Sequence, residues 1–186
     1  MQCLFLAQRL KMQLLKFLII FLIFNTVSYS SMKNAYDFSF NNIEGGKLDL
    51  ADYKGKTLVV ANVASRCGFT NQYEGLQTIW EEYKEKNVVI IGVSSNDFNQ
   101  ELGSKEEVKK FCDVNFGINF PMTDITKVKG DDAHPFYQWV KKTHGSKPKW
   151  NFYKILINKE GQVEDTFSSF TKPESKKFKS AIDKIL

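Results

Sequence analysis

Cys67 is the residue whose setting could support chemistry. It lies in Ala64-Ser65-Arg66-Cys67-Gly68-Phe69-Thr70, directly after the apolar, β-branched run Thr57–Ala64 (TLVVANVA). A thiol there sits at the carboxyl end of a buried strand, where open α/β sheets place their sites. The helical pattern that follows would bring free N–H groups and partial positive charge, which favour thiolate over thiol. Gly68 is expected to let the backbone turn closely beside the sulfur. Cysteine is also a common small buried hydrophobe, so position alone leaves a reactive and an inert reading open. Thr70 stands three residues after Cys67, which excludes the Cys-x-x-Cys dithiol mechanism. His134 and His144 show no ligand spacing with the cysteines, so no metal site is expected, and each reads as a surface or capping residue.

The elements that must position this thiol follow from periodicity. Phe38–Phe40 and Lys47–Leu50 flank Asn42-Ile43-Glu44-Gly45-Gly46 as a small hairpin. Thr57–Ala64 and Val88–Ser94 (VVIIGVS) are near-continuous apolar runs, as strands buried on both faces require. Between them, Tyr73, Leu76, Ile79, Trp80 and Tyr83 recur at helical spacing. Ser104 and Glu107 form a capping-box pattern opening a helix with Val108, Phe111 and Cys112 on one face. Asp132 and Pro135 introduce a helix with Phe136, Trp139 and Val140 inward. Tyr153–Ile157 and Gln162–Phe167 flank a turn at Asn158-Lys159-Glu160-Gly161. Thr171 and Glu174 suggest a capping box for a last helix carrying Phe178, Ala181, Ile182 and Ile185. Strands alternating with helices predict an α/β layer structure, a central sheet flanked by helices.

Of the 186 residues, 42% are hydrophobic and 25% charged, an ordinary globular composition with no repeat or low-complexity linker. Residues 1–30 stand apart as a predicted signal peptide, leaving 31–186 as one domain. Arg9, Lys11 and Lys16 precede the apolar run Phe17–Phe24, and Ser28 and Ser30 supply small residues before a cleavage point. That run is shorter than the roughly 20 residues needed to span a bilayer, so cleavage is favoured over an uncleaved anchor. Met12 also begins a compact signal sequence. Export to a periplasmic or extracellular space is the expectation. The leader holds three basic residues and no acid, leaving +2 of the net +5 for the rest. The lysines near Lys141 and Lys176 then read as solvated helix faces, and no nucleic-acid partner is expected. Removing the leader removes Cys3, leaving Cys67 and Cys112, a pair that in an exported protein suggests a permanent or a transient disulfide.

The segment Asn62-Val63-Ala64-Ser65-Arg66-Cys67-Gly68-Phe69-Thr70-Asn71-Gln72-Tyr73 resembles the active-site segment of glutathione peroxidases in their cysteine form. Three more stretches agree in order and spacing: Ser95 to Glu101 (SNDFNQE), Asn119-Phe120-Pro121, and Trp150-Asn151-Phe152. The resemblance runs from about Tyr36 to the C-terminus. It implies a thioredoxin-like fold with a central mixed β-sheet flanked by helices, and a thiol peroxidase without a cofactor. Cys67 would then be the peroxidatic nucleophile, attacking a hydroperoxide O–O bond and becoming a sulfenic acid. Trp150 and Asn151 match the supporting pair whose N–H groups can hydrogen-bond the sulfur.

Asp97 departs from the family pattern, standing where a glutamine is usual, in a loop one residue shorter. Ionised Asp is acceptor-only and would repel a thiolate. It is therefore either protonated, a proton acceptor for the thiol, or turned elsewhere, and we place it in the expected site. Gln100 matches a second, downstream glutamine of the family and is not given that role. Cys112 stands where thioredoxin-dependent members carry a resolving cysteine, implying a Cys67–Cys112 disulfide reopened by a dithiol. A packed core cysteine is the alternative. Ser95 replaces another cysteine common in the family.

The short connection between Gly130 and His134, and the lack of a long insertion, resemble the monomeric, open-site branch, which accepts lipid hydroperoxides as well as hydrogen peroxide. No clustered arginines suit glutathione capture, so a thioredoxin-like dithiol is expected before glutathione as reductant. A peroxiredoxin would need Pro and Thr roughly where Val60 and Ala64 stand. The remaining alternative is a slow-turnover redox sensor or interaction module that uses Cys67 oxidation as a signal.

Overall fold

The computed structural model describes residues 33–186; the leader reading, and the choice between Met1 and Met12, lie outside the described residues. Among them, no helix is long and apolar enough to cross a membrane. Residues Asn34–Leu186 form one compact unit.

The expected hairpin forms first, from β1 (Ser39–Asn41) and β2 (Lys47–Asp49), paired Phe40 to Leu48. The main sheet follows with β3 (Thr57–Val63), β4 (Val88–Ser94), β5 (Met122–Thr123), β6 (Lys154–Ile157) and β7 (Val163–Phe167). Its order is β5-β4-β3-β6-β7. β3 pairs in parallel with β4 and antiparallel with β6, so the sheet is mixed, as expected. The helices are α1 (Gln72–Tyr83), α2 (Lys105–Phe116), α3 (Pro135–His144) and α4 (Lys176–Asp183).

Every residue of β3 and β4 is buried, and alternation along β3 sends side chains to two cores. Val59, Ala61 and Val63 face a layer with Tyr73, Leu76 and Ile79 of α1, Cys112 of α2 and Phe178 of α4. Leu58 and Val60 face the other layer, with Phe136, Trp139 and Val140 of α3 and Phe38 and Phe40 of the hairpin. Cys67 belongs to the first layer.

Two local expectations are refined, and one element is added. α4 is capped by Ser175, whose Oγ accepts from the Phe178 N–H; Thr171 and Glu174 lie upstream and do other work, described below. His134, half-buried, caps α3 with Nδ1 accepting from Phe136 N–H, and Pro135 takes the first helical position, where its missing N–H costs nothing. The two-residue strand β5 went unpredicted, because a segment so short carries no periodicity.

Candidate active site

The thiol is set on a turn rather than on a helix. After β3 the chain folds through residues 64–71, and α1 begins at Gln72. The Cys67 N–H donates to Thr70 Oγ1 at 3.0 Å, and the Thr70 N–H donates to the Cys67 carbonyl at 3.0 Å. The Phe69 N–H points at the sulfur, 3.4 Å from Sγ. A backbone donor so placed stabilises negative charge on sulfur, the part expected of the helix terminus itself. Cys67 is 8% exposed, next to the exposed Arg66. Gly68 has no left-handed φ and open space where a Cβ would go, so the turn does not require glycine there.

Two other segments are tied to this turn. The first is the loop after β4. The Gln100 carbonyl accepts from the Arg66 N–H at 2.8 Å. The carboxylate of Glu101, buried, accepts from the Ser65 N–H at 3.0 Å, the Leu102 N–H at 2.9 Å and the Ser94 hydroxyl at 2.7 Å. Three donors satisfy a buried carboxylate that would otherwise be costly to desolvate.

The second is the turn before β6, held by Asn62 of β3. The Asn62 Nδ2 donates to the Trp150 carbonyl at 3.1 Å, and its Oδ1 accepts from the Tyr153 N–H at 3.2 Å. The Asn62 carbonyl accepts from the Phe152 N–H at 2.6 Å. This clamp is why Asn62 and the Trp150-Asn151-Phe152 run belong together although 88 residues separate Asn62 from Trp150. Phe152 adopts φ +60°, a left-handed conformation rare for a bulky residue. The turn thereby presents Trp150 outward, 40% exposed and tilted against Phe98 at 5.2 Å, and Asn151 inward, fully buried. The Asn151 Nδ2 donates to Gln100 Oε1 at 3.0 Å, while its Oδ1 is buried without a partner. Cys67, Gln100, Asn151 and Trp150 thus gather at the carboxyl end of β3.

Asp97 is turned elsewhere, the third of the possibilities raised above. Its Oδ2 accepts from the N–H groups of Val128 at 2.6 Å and Lys129 at 2.9 Å, and it stitches that loop instead of facing the thiol. The side chain that meets Asn151 is Gln100, which motif matching left without a part.

Cys112 lies on α2, 1% exposed, in the same apolar layer as Cys67; both thiols are free. Burial pushes its thiol up to about 12, against the countering hydroxyl of Tyr73 and with added repulsion from Glu101 and Asp113. Among the described residues, no group of three or more His, Cys, Asp or Glu could hold a metal ion.

A buried lysine braces the far side. The Lys154 ammonium donates to the Gln72 side chain and to the Thr171 carbonyl at 2.7 Å. The Gln72 Nε2 donates to the Ser169 carbonyl, and the Ser169 hydroxyl to the Asn151 carbonyl, both at 2.6 Å. Glu174 lies so close over Gly75 of α1 that a Cβ there would come within 2.4 Å of its carboxyl carbon. Between these anchors Phe170 stays 84% exposed, its ring edge-on to Phe69 at 5.4 Å. Neither Lys154 nor Ser169 carried a sequence signal, because a lone polar residue in a strand or turn has no period.

Comparison with known proteins shows the family. Residues 35–141 match the glutathione peroxidase family model. The chain is 44% identical to a glutathione peroxidase of Lactococcus lactis, over 76% of this chain and 93% of that one. It is 40% identical to the glutathione peroxidase-like peroxiredoxin gpx1 of Schizosaccharomyces pombe, over 77% and 94% of the two chains. The crystal structure of Trgpx in apo form superposes with a TM-score of 0.66 at 32% identity, covering 82% of this chain and 95% of that one. The chain belongs to the glutathione peroxidase family and is a thiol peroxidase of thioredoxin-like fold that reduces hydroperoxides.

Proposed function

We propose that Cys67 carries the peroxidase reaction and that Cys112 recycles it. The Cys67 thiolate attacks the terminal oxygen of ROOH, the O–O bond breaks, and the departing alkoxide takes a proton to leave as ROH. Sulfur keeps the transferred oxygen as sulfenic acid. The Cys112 sulfur then attacks the Cys67 sulfur, expelling water and forming a disulfide, and an external dithiol reopens it by exchange while becoming oxidised itself. The observation that carries this reading is the Phe69 N–H aimed at Sγ on the turn that follows β3. Trp150 and Asn151, at the same strand end, support the thiolate. Asp97, bonded to the 128–129 backbone, takes no direct part.

The exposed Phe170 and the partly buried Phe69 offer an apolar rim suited to organic hydroperoxides. A thioredoxin-like dithiol is the reductant we favour over glutathione, in line with the peroxiredoxin named among the relatives. Cys112 must leave its packed helix to react, so α2 opens locally in each cycle. We place the protein outside the cytoplasm as a monomer, on the strength of the leader sequence and the short connections. The sensor alternative drew on a repelling Asp97, and that carboxylate is occupied. The test is peroxide-dependent consumption of reduced thioredoxin and of glutathione, wild type against Cys67→Ser. Sustained turnover with thioredoxin supports the reading, and oxidation that stops after one equivalent sinks it.

A further inference from the structure

Tyr73 brings an unpaired hydroxyl into the layer that holds both thiols. It stands in the first turn of α1, next to Gln72, and is fully buried. Two other rings fix its place. It lies edge-on to Phe152 of the site turn at 5.3 Å and tilted against Phe116 of α2 at 5.2 Å. Phe116 follows Cys112 by one turn on the same helix face. Inside this cluster the Tyr73 hydroxyl has no hydrogen-bond partner. Phenylalanine would fill the same space without desolvating a hydroxyl, so an unpaired one in a core calls for a use.

The charged or ionisable groups that act on Tyr73 are the Cys112 thiol first, then the Glu101 carboxylate and the Cys67 thiol. Around Cys112, burial opposes a negative sulfur most strongly, and the Glu101 and Asp113 carboxylates oppose it further. The Tyr73 hydroxyl is the one group there that favours it. Burial also pushes the Tyr73 phenol well above its ordinary value, so it keeps its proton and stays a donor. Tyr73 belongs to α1 and not to α2. Its hydroxyl therefore stays on the Cys67 side when α2 opens.

We propose that the Tyr73 hydroxyl is the hydrogen-bond donor that stabilises the Cys112 sulfur as it attacks the sulfenic acid of Cys67. The inference rests on the resolving role of Cys112 proposed above. In that step Cys112 gives up its thiol proton, and its sulfur attacks the Cys67 sulfur. The S–S bond forms, the S–O bond of the sulfenic acid breaks, and the released hydroxide takes a proton to leave as water. Cys112 is oxidised and the sulfenic sulfur reduced by the same electron pair. Tyr73 lends a hydrogen bond while the attacking sulfur is charged and keeps its own proton throughout.

The experiment mixes reduced protein with one equivalent of hydrogen peroxide, wild type against Tyr73→Phe, across a range of pH. Acid quenching, alkylation and mass spectrometry time the oxidation of Cys67 and the appearance of the Cys67–Cys112 disulfide. Tyr73→Phe keeps the ring contacts and removes only the hydroxyl, so the unfolding midpoint should not fall. Disulfide formation should slow about tenfold, its rise with pH should move to higher pH, and dimedone should trap more of the Cys67 sulfenic acid. Disulfide formed equally fast in both proteins sinks the inference and leaves the resolving role standing. A first oxidation slowed as much as the second step also overturns it, because the hydroxyl would then serve Cys67 or the turn. If the wild type forms no Cys67–Cys112 disulfide at all, the resolving role fails and takes the inference with it.

Discussion

Cys67 and Cys112 are the same side chain in one apolar layer, and their surroundings make them opposites. Cys67 sits on a turn, with an N–H at its sulfur, an exposed arginine beside it and open space over Gly68. Cys112 faces inward from the third turn of a helix that is capped at both ends, and burial holds its thiol protonated at neutral pH. The difference teaches that burial alone does not rank a cysteine: both are under 9% exposed, and only the local donors and the freedom of the segment separate them.

The hardest break of this comparison is substitution of each sulfur. Cys67→Ser should cut peroxide turnover by about 1000-fold or more, since no other described thiol is placed to replace it. Cys112→Ser should leave the first oxidation intact while thioredoxin-supported cycling stops. Unchanged cycling would make Cys112 a core residue and nothing more.

A gentler change sharpens it. In α2 the Ser104 hydroxyl accepts from Glu107 N–H, and the Glu107 carboxylate accepts from Ser104 N–H at 3.2 Å. Losing such a cap costs about 1 kcal/mol, so Ser104→Ala should raise native-state alkylation of Cys112 about fivefold. Cys67 alkylation should not change. If both rise together, the two thiols share one opening and the contrast is wrong.

Lys154 tests whether burial acts on titration as it does at Cys112. Its amine is pushed down to about 7 by desolvation, which the carboxylate of Glu174 only partly counters. The unfolded chain keeps that lysine protonated to about pH 10.4, so between 7 and 9 the unfolded state binds more protons. Stability should therefore rise by about 2 kcal/mol across that window, as measured by urea unfolding. Lys154→Met should flatten the rise.

The smallest effect belongs to Asp97→Asn. The amide oxygen can still accept from the Val128 and Lys129 N–H groups, so Cys67 oxidation should stay within about twofold of wild type. A larger change would return Asp97 to the site.

Much of this was legible in the chain. The buried strands declared themselves by unbroken apolar runs, and Ser104 with Glu107 announced α2, because these signals are local and periodic. The proposed nucleophile stood out from its place after β3 and from the surrounding motif. What stayed hidden was pairing at a distance. Nothing near Gln100 says that it faces Asn151, and nothing near Asp97 says that two backbone N–H groups 31 and 32 residues on will claim it. Where these side chains end up is a property of the loop's path rather than of any residue in it. Thr171 and Glu174 resembled a cap because capping is a spacing rule; the chain used them to hold Lys154 and cover Gly75 instead.

Phe152 shows how narrowly the site's sequence is constrained. Its left-handed backbone costs a bulky residue roughly 1–2 kcal/mol, and glycine would remove that cost. Yet its ring is fully buried, edge-on to Tyr73 at 5.3 Å, and emptying such a space costs about 3–5 kcal/mol. Relief in the turn would therefore open a hole in the core, and the core wins. Drift at this position is blocked from both directions, so the loop that presents Asn151 and Trp150 inherits the fixity of the hydrophobic interior beneath it.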